Sequence, residues 1–101
     1  MNEISSKLKL VLWGKRLQLP ENYDNLEFDE YELKYIGIWY DLYIYKNNKI
    51  IKRIWYYNNR NKGYEQNFKN GKQNGKEYSW YSDGELSYEY NYKDGKLINE
   101  K

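Results

Sequence analysis

The chain has 101 residues with 17 basic and 15 acidic side chains, and it contains neither cysteine nor histidine. The lack of cysteine excludes disulfides and thiolate chemistry, and the lack of histidine excludes Ser-His and Cys-His catalysis and the usual zinc sites. Its 14 tyrosines and 4 tryptophans must supply much of the buried surface, and each of these rings keeps a polar atom that needs water or a partner. This length fits one domain, residues 1–101, for which we expect no cofactor and no metal site.

The N-terminal part, residues 1–45, shows no internal repeat and precedes a repetitive part at residues 46–101. Leucine alternates with other residues in KLKLVLW at Lys7–Trp13, which predicts a strand that ends at Gly14. The apolar run is only a few residues long and is broken by lysines, which is too short for a signal peptide or a membrane span. We therefore expect no membrane span and a cytoplasmic location.

Residues 21–32 form an acidic segment with six carboxylates and no basic residue, which predicts a loop or an irregular sheet edge. Residues 33–45 are dense in Tyr, Ile and Trp and predict two strands, with Gly37 at a bend. A single-layer sheet has two faces, and the remaining residues are too few to cover both. Some of the aromatic rings are therefore expected to stay exposed.

Five short polar pairs follow at intervals of 11, 12, 13 and 11 residues and predict hairpin tips. Asn-Gly and Asp-Gly pairs favour two-residue type I′ turns, in which both central residues have positive φ. The intervals leave room for short strands and for no helix of ordinary length. They predict an all-β fold, a single curved antiparallel β-meander with little or no helix. The five pairs are Asn47-Asn48, Asn58-Asn59, Asn70-Gly71, Asp83-Gly84 and Asp94-Gly95.

The repetitive part has a unit of 24 residues, because Tyr64–Lys72 matches Tyr88–Lys96 at all but three positions. The strand Leu86–Tyr92 alternates between apolar and polar residues, which places Leu86, Tyr88, Tyr90 and Tyr92 on one face and Ser87, Glu89 and Asn91 on the other. The rings of this second copy are expected to belong to the core.

The motif Asn70-Gly71-Lys72, followed by Gly75-Lys76, the aromatic pair Trp80-Tyr81 and the next tip Asp83-Gly84, resembles the MORN-type repeat. It is similar in particular to the variant found in small bacterial antitoxin-like proteins, over about residues 46–97. The resemblance implies an elongated antiparallel meander that binds other proteins or surfaces and has no catalytic centre. Glycine is replaced at three expected positions, as is usual in the terminal repeats of an array: Asn48, Arg60 and Asn99.

The first functional hypothesis is a small non-enzymatic protein that occludes a partner protein with an aromatic and basic sheet surface. It suits an antitoxin-like protein or a phage-type inhibitor of a bacterial effector of the defence-nuclease type, so that the partner would be a toxin or a defence effector. Aromatic residues and arginine together are typical of interface hot spots. The expected partner-binding residues are Trp39, Tyr43, Lys52, Arg53, Trp55, Tyr57 and Arg60.

The second hypothesis is a nucleic-acid or polyanion-binding module that uses residues 46–76, where nine basic residues accompany Glu65 alone. A net charge of only +2 speaks against it. A glycosidase would need two facing carboxylates, but Glu77 and Glu89 are both expected on the solvated face of the sheet. We therefore expect no enzymatic activity.

Overall fold

The computed structural model describes residues 3–100, in which one helix precedes a single antiparallel sheet. The helix is α1 (Glu3–Gly14), and a 3-10 turn covers Tyr23–Asn25. The strands are β1 (Glu30–Tyr35), β2 (Tyr40–Lys46), β3 (Lys49–Tyr56), β4 (Lys62–Lys69), β5 (Lys72–Gln73), β6 (Gly75–Trp80), β7 (Leu86–Lys93) and β8 (Lys96–Glu100). Their order in the sheet is β1-β2-β3-β4-β6-β7-β8, and β5 pairs with β4. The predicted all-β meander is confirmed.

Three of the predicted tips are two-residue turns in which both central residues have positive φ. These φ values are 52° and 63° at Asn47-Asn48, 53° and 80° at Asn70-Gly71, and 51° and 86° at Asp94-Gly95. The tip at Asp83-Gly84 is different, because among its residues only Gly84 has positive φ (94°) and the loop is closed by the Tyr81 N–H donating to the Glu85 carbonyl. The type I′ turn predicted there is wrong, although the tip itself lies where it was expected.

The predicted strand at Lys7–Trp13 is also wrong, because these residues belong to α1. Leu8 and Leu12 are four residues apart and fully buried, whereas Leu10, two residues from each, is 67% exposed. Residues four apart lie on one side of a helix, so the burial follows a helical period. Leucines at every second position favour a strand, whereas in a helix only Leu8 and Leu12 share a side, so the alternation pointed to the wrong element.

The rest of the N-terminal part follows the predictions more closely. The acidic segment is irregular up to Asp29, and its last residues begin β1. Strands β1 and β2 share the following stretch, with Gly37 at φ 81° between them. Residues 3–100 contain no helix that is long and apolar enough to cross a membrane.

The hydrophobic core lies on one face of the sheet, under α1 and residues 17–28. We call this the covered face, and the described residues place no segment on the opposite or open face. The extents of 36 × 34 × 24 Å describe a broad sheet with a helix on it, and the elongated shape implied by the repeats is absent because the N-terminal part folds back. The buried core residues are Leu8, Leu12, Leu17, Tyr23 and Phe28 from the N-terminal part and Tyr40, Leu42, Ile44, Ile54 and Tyr56 from the sheet.

Candidate functional site

Three of the predicted residues form an aromatic cluster on the open face, which we define as Trp39, Trp55 and Tyr57. Trp55 follows the buried Ile54 in β3, so strand alternation turns it away from the core. Its ring centre lies 5.7 Å from that of Trp39 and 4.6 Å from that of Tyr57. All three side chains are half-buried. The cluster therefore presents aromatic surface at one end of the sheet.

The backbone of β4 supports this cluster at Gly63. A Cβ atom on Gly63 would lie 2.2 Å from both Cε3 and Cζ3 of Trp55, so the indole rests directly on the glycine. The Tyr57 hydroxyl donates a hydrogen bond of 2.7 Å to the Trp80 carbonyl in β6. The rings are thus held by the sheet before any partner arrives.

A polar group adjoins the aromatic cluster and contains two more predicted residues, Tyr43 and Arg53. They face each other in the pairing of β2 with β3. The Arg53 guanidinium carbon lies 5.5 Å from the Tyr43 ring centre, and Arg53 Nη2 lies 3.5 Å from Asp41 Oδ1. Asp41 Oδ1 and Arg53 Nε are buried and make no hydrogen bond within residues 3–100. Buried polar atoms of this kind cost about 1–3 kcal/mol each, and the ion pair between Asp41 and Arg53 offsets part of that cost.

The structure does not bring Lys52 to this surface. Lys52 is 5% exposed on the covered face, where its Nζ lies 2.6 Å from Oε2 of the fully buried Glu65. Glu65 Oε1 also lies 3.1 Å from Lys62 Nζ, and Glu65 accepts the backbone N–H of Glu21. Strand alternation already separates Lys52 from Arg53, and this signal could have removed Lys52 from the predicted site.

Arg60 also lies apart from the aromatic cluster, in the loop between β3 and β4. Its Nε donates to the Lys15 carbonyl at 3.1 Å, its Nη1 donates to the Asn58 carbonyl at 2.7 Å, and its guanidinium lies 5.1 Å from the Tyr40 ring centre. Tyr40 belongs to the covered face. Five of the seven predicted residues therefore share the open face, and Lys52 and Arg60 do not.

The second half of the open face carries Tyr64, Tyr88 and Tyr90, which sequence reasoning had left out of the site. Tyr64 and Tyr88 both pair with Ser79, and the Tyr88 and Tyr90 ring centres are 4.1 Å apart. These rings are half-buried, and the core cluster lies on the other face, so the prediction that the second copy supplies core rings is wrong. The buried core cluster takes its sheet residues from β2 and β3 and none from the second copy.

Glu77 lies among these tyrosines and is only 3% exposed, so its predicted place on the solvated face is wrong. It pairs with Tyr90 and accepts hydrogen bonds from Tyr88 (3.0 Å), Gln66 (3.2 Å) and Gln73. Burial, together with the hydrogen bond to Glu77, raises the pKa of the Tyr64 hydroxyl. Glu89 pairs with Tyr78 and lies on the opposite side of the sheet, so Glu77 and Glu89 do not form the facing pair of a glycosidase.

The nine basic residues of the segment 46–76 are divided between both faces and the tips. Five of them lie within 4 Å of a carboxylate: Lys46 with Glu27, Lys52 and Lys62 with Glu65, Arg53 with Asp41, and Lys76 with Glu89. Because five of the nine are neutralised and the nine are spread over both faces and the tips, these cations do not form a continuous path for phosphates beside the aromatic cluster. This distribution gives the nucleic-acid hypothesis no support.

Within residues 3–100, no group of three or more carboxylates is placed to hold a metal ion. Comparison of the chain with protein-family models, with curated proteins and with solved structures finds no match, and the likeness to the MORN-type repeat stays a prediction from its motifs.

Proposed function

We propose that this chain is a protein-binding module that blocks a partner protein with its open face. The observation that carries the proposal is the position of the aromatic cluster beside Tyr43 and Arg53 on a sheet face without a second layer. Tryptophan, tyrosine and arginine dominate interface hot spots, because they bury large areas at well-packed positions. The rings contact one another, so their ordering costs little on binding.

The partly exposed guanidinium of Arg53 gives this aromatic surface its polar contact and its specificity. Asp41 is almost fully buried beside the 38% exposed side chain of Arg53, and its Oδ1 lies 3.5 Å from Arg53 Nη2, which holds the guanidinium in place. A partner that offers an acceptor to the exposed part of the guanidinium gains a charge-assisted hydrogen bond, whereas one that offers none buries that cation without a new partner. The partner surface is therefore apolar with a small polar group at its centre.

We propose further that the partner is a toxin or a defence effector, and that binding inhibits it. The support for this step is the resemblance of residues 46–97 to the antitoxin-like MORN variant. Occlusion of an active site by a preordered surface needs no catalytic residue on the inhibitor. The second half of the open face, with Tyr64, Tyr88 and Tyr90, would extend the contact.

The test is capture from a bacterial lysate with the wild-type protein and with matched variants. Arg53→Ala and Trp39→Ala remove anchors of the open face, whereas Lys49→Ala at the far end of β3 and Trp13→Ala on α1 remove a cation and a 57% exposed ring elsewhere. We expect one protein that binds the wild type and both controls, is lost with Arg53→Ala and Trp39→Ala, and loses activity when the complex is rebuilt from purified components.

Two outcomes would contradict the proposal. The first is that all four variants capture the same proteins as the wild type. The second is that the captured material is nucleic acid whose affinity falls steeply between about 0.05 and 0.2 M salt, as expected for phosphate contacts. The second outcome would favour the polyanion hypothesis instead.

A further inference from the structure

Three cations meet at the C-terminal end of α1, away from the open face. Lys15 and Arg16 follow the helix, and Arg60 approaches from the loop between β3 and β4. Lys15 Nζ lies 6.0 Å and the Arg60 guanidinium carbon 5.1 Å from the ring centre of Tyr40. With Gly14, these four residues line an open depression of about 450 Å³. Its lining is therefore basic around one aromatic ring.

None of the three cations forms an ion pair with a carboxylate in the described part of the chain. Arg60 differs in this from five of the nine cations of the segment 46–76, which lie within 4 Å of a carboxylate. The C-terminus of a helix carries a partial negative charge, which Arg60 offsets by donating to the Lys15 carbonyl. Lys15 and Arg16 are left to act on anything that enters the depression.

The backbone of Arg16 gives an independent reason to look for a ligand. Arg16 has φ 62° and stands just after α1, where helices commonly place glycine because that conformation is strained for other residues. Arg60 is also left-handed, at φ 80°, but its two hydrogen bonds to carbonyls explain the arginine there. The side chain of Arg16 makes no hydrogen bond or ion pair within residues 3–100. Its cation thus has no structural role inside the chain.

We infer that this depression is a binding site for an oxyanion, the chemistry shared by phosphate and carboxylate groups. The Arg16 guanidinium supplies forked N–H donors that match two oxygens of such a group, and Lys15 supplies a point charge. Arg60, fixed by its own hydrogen bonds and by Tyr40, forms one wall. The site stands independently of the proposed function, because it opens on the covered face, opposite the aromatic cluster.

The test is a titration followed by NMR at constant ionic strength, with inorganic phosphate in one arm and a glutamate-rich peptide in the other. We expect saturable shifts of the amide signals of Gly14, Lys15, Arg16 and Arg60. A response to phosphate assigns the site to phosphoryl groups, and a response to the peptide assigns it to carboxylates of a partner protein. Either response supports an oxyanion site, and the absence of saturable shifts in both arms would overturn it.

Variants separate binding from stability. Arg16→Gly should weaken the affinity about tenfold by removing charge-assisted hydrogen bonds, while its melting temperature stays equal or rises because the strain is relieved. Asn22→Gly relieves a similar φ of 58° without loss of charge, and Lys49→Gln removes one charge at a distant tip. Both controls should bind like the wild type. If Arg16→Gly binds as tightly as the wild type, or Lys49→Gln as weakly as Arg16→Gly, the site is wrongly placed.

Discussion

Lys52 Nζ lies 2.6 Å from Glu65 Oε2, and both side chains are withdrawn from water. Lys62 contacts the other oxygen of Glu65 and also Glu21 Oε1, each at 3.1 Å. Glu21 belongs to the N-terminal part, so this buried charge cluster joins that part to the sheet. Its two carboxylates, Glu21 and Glu65, neutralise Lys52 and Lys62 of the segment 46–76.

The first prediction concerns removal of the central carboxylate. Glu65→Gln leaves Lys52 buried without an opposite charge, so we expect the free energy of unfolding to fall by about 3 kcal/mol in urea denaturation. Glu32→Gln is the control, because Glu32 lies 3.7 Å from Lys34 at a half-exposed position and should cost less than about 1 kcal/mol. Equal losses for the two variants would show that the buried cluster is not charged as described.

The second prediction is a loss of stability at alkaline pH that depends on Tyr56. Burial raises the pKa of its hydroxyl well above the ordinary 10.0, and the nearby Glu65 carboxylate raises it further. The unfolded chain therefore releases this proton at a lower pH than the folded chain. The contribution is full below about pH 10 and is lost as pH rises above that value.

Tyr56→Phe isolates this effect in denaturation curves between about pH 9 and 11. The variant loses the 2.7 Å hydrogen bond to the Gln18 carbonyl, which should cost about 1 kcal/mol at every pH. Its stability should fall less steeply above pH 10 than that of the wild type. Parallel curves would mean that Tyr56 does not stay protonated in the folded protein.

The third prediction concerns the tip at Gly84. Its φ of 94° lies in the left-handed region, so Gly84→Val should destabilise the protein by about 1–3 kcal/mol. Gly14→Ala is the matched control, since Gly14 has an ordinary φ and open space around the new Cβ. Thermal melts should separate the two variants. A Gly84→Val protein that melts with the wild type would refute the assigned turn.

The fourth prediction tests the support of Trp55 by Gly63. In Gly63→Ala the new methyl group would overlap the indole, which should displace the ring and cost about 1–3 kcal/mol. The same change in a Trp55→Ala background meets no ring, so the double variant should be more stable than the sum of the single effects predicts. Strict additivity in this cycle would place Trp55 away from β4.

The turns at Asn70-Gly71 and Asp94-Gly95 were predictable because these pairs favour the backbone locally, whereas at Asp83-Gly84 only Gly84 has the expected positive φ. The helix was not predictable, because the alternation of Leu8, Leu10 and Leu12 favours a strand, and no local signal shows that only Leu8 and Leu12 pack on the sheet while Leu10 stays exposed. The same limit applies to the site. Alternation put Arg53 and Trp55 on one face, but no local signal shows that the N-terminal part covers the other face, which buries Lys52.

The role of the open face is tested most directly by the Kd of the isolated partner for the wild type, Arg53→Ala and Lys49→Ala, at low and at physiological salt. We predict that Arg53→Ala weakens binding more than tenfold, which corresponds to about 1.4 kcal/mol or more, with little change at Lys49→Ala and a weak dependence on salt. An Arg53→Ala protein that remains folded and binds with the wild-type Kd would contradict the claim that the open face is the binding surface.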